Sequence, residues 1–219
     1  ETGAGLNYFQ LIMDHYKAFR TLGLNVDFVH KKTEDFSRYK LISIVGAIHI
    51  SSELISRLST SKAKLVFGPR TGARVGNMQI PTNLPPAINL VKSRVLRVET
   101  LPPNLSLEID PLGQANRYIE TINIDSNAAP YLTLKNGKVI ATIEATGAIY
   151  LGSMLDQEGL RVFYKRLFDE IELDYLLMPA GIRRRCTDSE EFWFNYNDRT
   201  TQTKNGNMMP AEVKRLPLI

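Results

Sequence analysis

Residues 39–72 read YKLISIVGAI (39–48), HISSELISRLSTSKA (49–63) and KLVFGPRTG (64–72), and their patterning decides the fold class. The apolar runs 41–45 and 65–67 are short and continuous instead of alternating, as in strands covered on both faces of a parallel sheet. Ser51 or Ser52 can cap a helix between them. A parallel pair joined by one helix implies a right-handed crossover, with functional loops at the carboxyl ends of the strands. Here those ends are residues 46–50 and 68–72. Neither holds a nucleophile beside a base, so the stretch predicts an α/β fold without naming a chemistry.

Working outward, residues 6–22 place Tyr8, Leu11, Ile12, His15, Tyr16 and Phe19 at helical spacing, with Gly23 as the stop. Residues 25–29 read as a short strand and 31–38 as a polar connection. After the Pro- and Asn-rich link 80–86, a short helix is expected over 87–92. A β-rich middle follows over 94–101, 105–109, 118–124 and 131–134. Asn136-Gly137 is a hairpin-type turn into 138–144, and 147–151 is a fully apolar strand. Residues 157–171 form the last strong helix, burying Leu160, Phe163, Tyr164, Leu167 and Phe168. Pro179-Ala180-Gly181 breaks the pattern, and three β segments follow over 182–186, 191–196 and 212–218. The expected organisation is a vector-derived scar over 1–4, marked by Glu1-Thr2-Gly3, then an α/β domain over 5–178 and a small antiparallel β domain over 179–219. With no initiator Met, the chain is expected to be cut from something larger.

The chain has 219 residues, enough to bury a sizeable core, and at 43% hydrophobic and 23% charged it has an ordinary globular composition. A net charge of +4 is mild for this length. The only concentrated basic run is Arg183-Arg184-Arg185, so no nucleic-acid partner is expected. No apolar run is long enough to span a membrane. A single cysteine, Cys186, excludes an internal disulfide framework. The sequon at Asn104 is read as a chance triplet.

Few side chains point to chemistry. His15, His30 and His49 lack metal-binding spacing, and neither a metal site nor a cofactor is expected. Cys186 lies beside three arginines that would lower a thiol pKa, yet no histidine is near it in sequence, and the reading as a core filler is preferred. Glu99, Glu120 and Glu144 lie on strands, where carboxylates generally face solvent, and no catalytic role is assigned to them. Two features are candidate binding elements. In the 68–72 loop, backbone amides around Gly72 can form an anion-accepting nest with Arg70 as counter-charge, against the simpler reading of a tight turn. In Phe192-Trp193-Phe194-Asn195-Tyr196, alternation puts Trp193 opposite Phe192, Phe194 and Tyr196. An exposed Trp193 can stack on a sugar ring, whereas a buried one is core or interface packing.

Lined up, the motifs LGLNVDFV (22–29), YKLISIVGAI, ISSELISRL (50–58), LVFGPRTG (65–72), LPPAINLV (84–91) and RVLRVETLPP (94–103) resemble the trimerisation domain of glycoside hydrolase family 42 β-galactosidases. Tyr118-Ile119-Glu120 sits where that family usually has Trp-x-Glu. Residues 147–152 resemble its Gly-x-x-Tyr-Leu-Gly strand, and 181–185 with 192–195 resemble its C-terminal β domain. The resemblance implies a parallel-sheet, flavodoxin-like or class I glutamine amidotransferase-like domain, although the amidotransferase cysteine is absent from both strand-to-helix turns. It implies a homotrimer, with the parent's catalytic barrel as second partner. It also implies no catalysis by this chain, because the family's two catalytic glutamates belong to a (β/α)8 barrel, a unit of about 250 residues. The alternative reading is a free-standing carbohydrate-binding or scaffold protein that keeps the fold without the barrel.

Overall fold

A computed structural model describes residues 7–218, so the expected scar over 1–4 lies outside the described residues. The organising unit is as read: β1 (Leu41–Ile44), α2 (Ser52–Thr60) and β2 (Lys64–Phe67), the two strands pairing in parallel with Ile42 beside Leu65 and Ile44 beside Phe67. It is preceded by α1 (Tyr8–Thr21). Ser51 caps α2, its hydroxyl accepting from the Leu54 amide, and Ile55 and Leu58 are the face that α2 buries.

The middle of the chain supplies β3 (Arg94–Thr100), β4 (Ser106–Asp110), β5 (Gln114–Asn123), β6 (Ala129–Leu134), β7 (Val139–Ile143), β8 (Ile149–Leu151) and β9 (Ser153–Leu155). These join β1 and β2 in one mixed sheet of order β1-β2-β8-β7-β6-β4-β5-β3, with β9 on β5. Parallel pairing is confined to β1, β2 and β8; the other pairings are antiparallel. The architecture is therefore α/β with a mixed sheet. Burial follows position: β8 is buried throughout, while edge strand β1 is half-buried at every residue.

Helix α3 (Gln157–Glu170) leads to β10 (Ile182–Cys186), β11 (Glu190–Asn195), β12 (Thr201–Thr203), β13 (Gly206–Met208) and β14 (Val213–Pro217). They form a three-stranded antiparallel sheet, β10-β11-β14, and a separate β12-β13 hairpin.

By compactness the described chain forms two units: residues 7–13 with 29–162, and residues 14–28 with 163–218. In the first, Phe36, Leu58, Leu65, Phe67, Val91 and Tyr150 meet in one core cluster. The second packs Phe19, Tyr164 and Phe168 as an aromatic cluster and Met178, Ile182, Trp193 and Met208 as a small core.

Two expected elements are absent, for local reasons. Residues 25–29 are not a strand. The Asn25 side chain instead bonds both backbone groups of Cys186, donating to its carbonyl at 2.6 Å and accepting from its N–H at 2.9 Å. Residues 87–92 are not a helix, because their peptide groups are committed elsewhere. The Ala87 N–H goes to the Gly72 carbonyl at 2.7 Å, and the Lys92 N–H to the Glu144 carboxylate at 2.8 Å. Strands β9, β12 and β13, three residues each, were too short to show a period.

Candidate functional site

The carboxyl ends of β2 and β8 meet at a buried polar cluster around Glu120. Strand alternation puts Tyr118 and Glu120 of β5 on one face, and the Tyr118 hydroxyl donates to Glu120 Oε1 at 2.7 Å. From β8 the Tyr150 hydroxyl donates to Oε2 at 2.7 Å, and from the loop after β2 the Arg70 N–H donates to Oε1 at 3.3 Å. Glu120 is 2% exposed and Tyr150 1%. Gly152 makes the room: a Cβ there would come within 2.9 Å of Glu120 Oε2. Burial pushes the Glu120 carboxyl up from its ordinary range, an effect the hydroxyl and amide donors partly oppose, and burial beside that carboxylate pushes both tyrosines up as well.

This overturns the expectation that Glu120 and Glu144 face solvent. Glu144 is 4% exposed and accepts from the Lys92 and Ser93 amides and, at 2.8 Å, from the Thr142 hydroxyl. Glu99 alone of the three keeps partial exposure. Lys138 at 2.7 Å and Arg97 at 2.8 Å hold its carboxyl down at about 2. Retaining glycoside hydrolysis needs two carboxyl groups about 5–5.5 Å apart across a bond in an accessible site. Here two are walled in by protein donors and the third is tied to two cations. The sequence signal for Glu120 was present in Tyr118-Ile119-Glu120: an acid two residues from a tyrosine, on a strand buried on both faces there.

The 68–72 loop uses its amides internally. The Gly68 N–H donates to the Ile44 carbonyl at 2.7 Å, Thr71 to Gly68 at 3.2 Å, and Gly72 to Ala47 at 2.9 Å. With the Arg70 N–H on Glu120, every N–H of the loop has an acceptor within the protein, Pro69 having none to give. The anion this loop receives is the chain's own Glu120, and an external-anion nest at Gly72 is not available. Arg70 stands in the left-handed region at φ 64, its guanidinium carbon 6.0 Å from the Tyr118 ring centre.

Trp193 is 1% exposed and sits in the second unit's core, so it offers no stacking face. Of the two faces that the alternation defines, the inward one is Glu191, Trp193 and Asn195, as the core-packing reading of Trp193 has it, and Tyr196 is 73% exposed. Cys186 is a half-buried free thiol at the end of β10. No group of three His, Cys, Asp or Glu suited to a metal ion occurs among the described residues, and no described helix is long and apolar enough to cross a membrane.

In the sequence His15 stood out only by its helical spacing and by the lack of metal-binding spacing. It is 4% exposed, with Nδ1 2.6 Å from the Tyr164 hydroxyl. Burial lowers its pKa to about 3. The folded state thus binds fewer protons than the unfolded chain between about pH 3 and 6.5, and stability falls as pH drops through that window. Between pH 7 and pH 5 the expected loss is about 2 kcal/mol. Urea unfolding at the two pH values measures it. His15→Gln, which has no imidazole to protonate, should flatten the difference, and an equal difference in both proteins would refute the assignment.

Known proteins resemble this chain over most of its length. Residues 1–174 match the family described as beta-galactosidase trimerisation domain. Beta-galactosidase BgaA from Thermus sp is 30% identical over 204 residues, 91% of this chain and 31% of that protein. A beta-galactosidase from Thermus thermophilus is 30% identical over 209 residues, again 91% of this chain and 31% of its own length. The crystal structure of beta-galactosidase from the psychrophilic Marinomonas ef1 superposes with a TM-score of 0.89 at 28% identity, over 98% of this chain and 34% of that one. The cold-adapted enzyme from Rahnella sp. R3 shares the fold, with a TM-score of 0.82 at 19% identity over 98% of this chain and 37% of that one. The chain spans about a third of the length of these relatives.

Proposed function

Because the chain belongs to the beta-galactosidase trimerisation domain family, we propose that it serves as the assembly and support region of a longer family 42-type β-galactosidase. The chain itself is a non-catalytic region, and its family match over residues 1–174, beside curated relatives of which the chain covers 31%, is the observation that carries the reading. The parent's activity would be hydrolysis of β-galactosides by a catalytic barrel outside these residues. This region would hold neighbouring barrels in register as a homotrimer. Within it, residues 5–178 are the trimerisation-type domain and 179–219 the small β domain. The extent of the family match supports that division, which follows family homology and so differs from division by compactness. The β1-α2-β2 unit with β8 as third parallel strand supports a flavodoxin-like or class I amidotransferase-like kernel, to which the antiparallel strands are added.

A cyclic trimer is heterologous, each copy offering two different patches that meet head to tail. The test is multi-angle light scattering on the purified chain at tens of micromolar. The expected mass is three times the 24.7 kDa of one chain. A strictly monomeric particle would count against self-assembly by this region. Burial of Trp193 removes one of the features that motivated the free-standing carbohydrate-binding alternative.

A further inference from the structure

The second unit contains a cleft that the assembly reading does not use. Tyr16 and Arg20 are four residues apart on α1 and so share one face. Gly181 and Arg183 come from the entry to β10, and Tyr196 from the end of its partner β11, where Ile182 pairs with Asn195 and Arg183 with Phe194. These five residues line an open cleft of about 300 Å³. That volume is at the small end for ligand sites and suits one ring with its substituents.

Its charge is one-sided. None of the five lining residues is acidic, and among the described residues neither arginine has a carboxylate partner. Their neighbours differ: Arg184 bonds Glu191 at 2.5 Å and Arg215 bonds Glu190 at 2.6 Å. Arg20 and Arg183 are each anchored by one bond to a backbone carbonyl, of Leu24 at 2.5 Å and of Ile182 at 2.7 Å. A guanidinium has five N–H donors, so each keeps most of its fork for a guest while its position is already restrained.

The walls are aromatic and also held. Tyr16 packs on Phe28 with centroids 5.4 Å apart, and Tyr196 stacks on Phe194 at 6.2 Å. Phe28 and Tyr196 are 69% and 73% exposed, so the unit gains little burial from rings presented there. The Tyr196 N–H donates to the Gly181 carbonyl at 2.9 Å. Gly181 stands at φ 74, and a Cβ there would lie 2.0 Å from Asn197 Oδ1, so any side chain at this wall would strain the backbone and displace Asn197.

Two guanidinium forks match one carboxylate, and tyrosine faces match the C–H face of a pyranose ring. We propose that this cleft binds a small sugar acid, a pyranose ring bearing one carboxylate. The site is independent of the trimer reading, which stands or falls on particle mass. The test is an NMR titration of the intact chain with D-galacturonate and, separately, with its methyl ester, which has the same ring without the charge. Galacturonate should saturate at millimolar concentration and shift the amides of Gly181, Arg183 and Tyr196. The ester should bind at least about tenfold more weakly. Arg20→Gln and Arg183→Gln should each weaken galacturonate by about tenfold while leaving the remaining amide spectrum in place. Absence of saturable shifts at these amides, equal affinity for acid and ester, or unchanged affinity in the doubly substituted protein would each overturn the proposal.

Discussion

Glu120→Ala is expected to destabilise the chain by about 3–5 kcal/mol, read from urea unfolding at pH 7. The substitution removes the acceptor of two tyrosine hydroxyls and the Arg70 amide at once, and leaves a cavity among side chains nearly sealed from water. Glu120→Gln keeps an oxygen in place and should cost about 1–2 kcal/mol. Burial raises the folded-state pKa of this carboxyl, so its contribution is fully present below the unfolded value of about 4.5 and is lost as pH rises through the folded value. Wild type should therefore show a downward stability slope above pH 4.5 that Glu120→Gln lacks. The trend opposes that of His15, and the two variants separate them. A Glu120→Ala protein as stable as wild type would show that the cluster is not the tie between β5, β8 and the 68–72 loop.

The second large expectation is the absence of turnover: the purified chain should not hydrolyse a nitrophenyl β-galactoside above the buffer rate. Glycosidic cleavage needs an acid and a nucleophile on opposite sides of one bond in a water-excluding pocket, and each is worth orders of magnitude in rate. A catalytic barrel takes about 250 residues, and this chain has 219, already committed over 7–218 to the elements described. Its three strand glutamates serve the fold: Glu120 ties β5 to β8, Glu144 receives the amides of Lys92 and Ser93, and Glu99 pairs with Lys138 and Arg97. The assay should be repeated on Glu99→Gln, Glu120→Gln and Glu144→Gln. Turnover that survives repeated purification and disappears in one of these variants would refute a non-catalytic chain.

Local patterning alone was enough for the β1-α2-β2 unit, the Ser51 cap, the helix that Gly23 stops, the Asn136-Gly137 hairpin and three of the C-terminal strands. Each depends on residues within a few positions of one another, and hydrophobic period and turn chemistry report such neighbours directly. Likewise, the motifs around GPRTG and RVETLPP sufficed to point to the family. Tertiary structure decided which face of each strand is inside. At 192–196 the period identified two faces, but only packing with Met178, Ile182 and Met208 made Trp193 the buried one. It also decided where peptide groups find partners, and that removed the expected strand at 25–29 and the expected helix at 87–92. Glu120 is the clearest case, because its meaning depends on Tyr150 and Arg70, 30 and 50 positions away in the chain. No local pattern records such a meeting: a carboxylate on a strand has the same neighbours in sequence whether it faces water or two buried hydroxyls, and only the assembled sheet determines which.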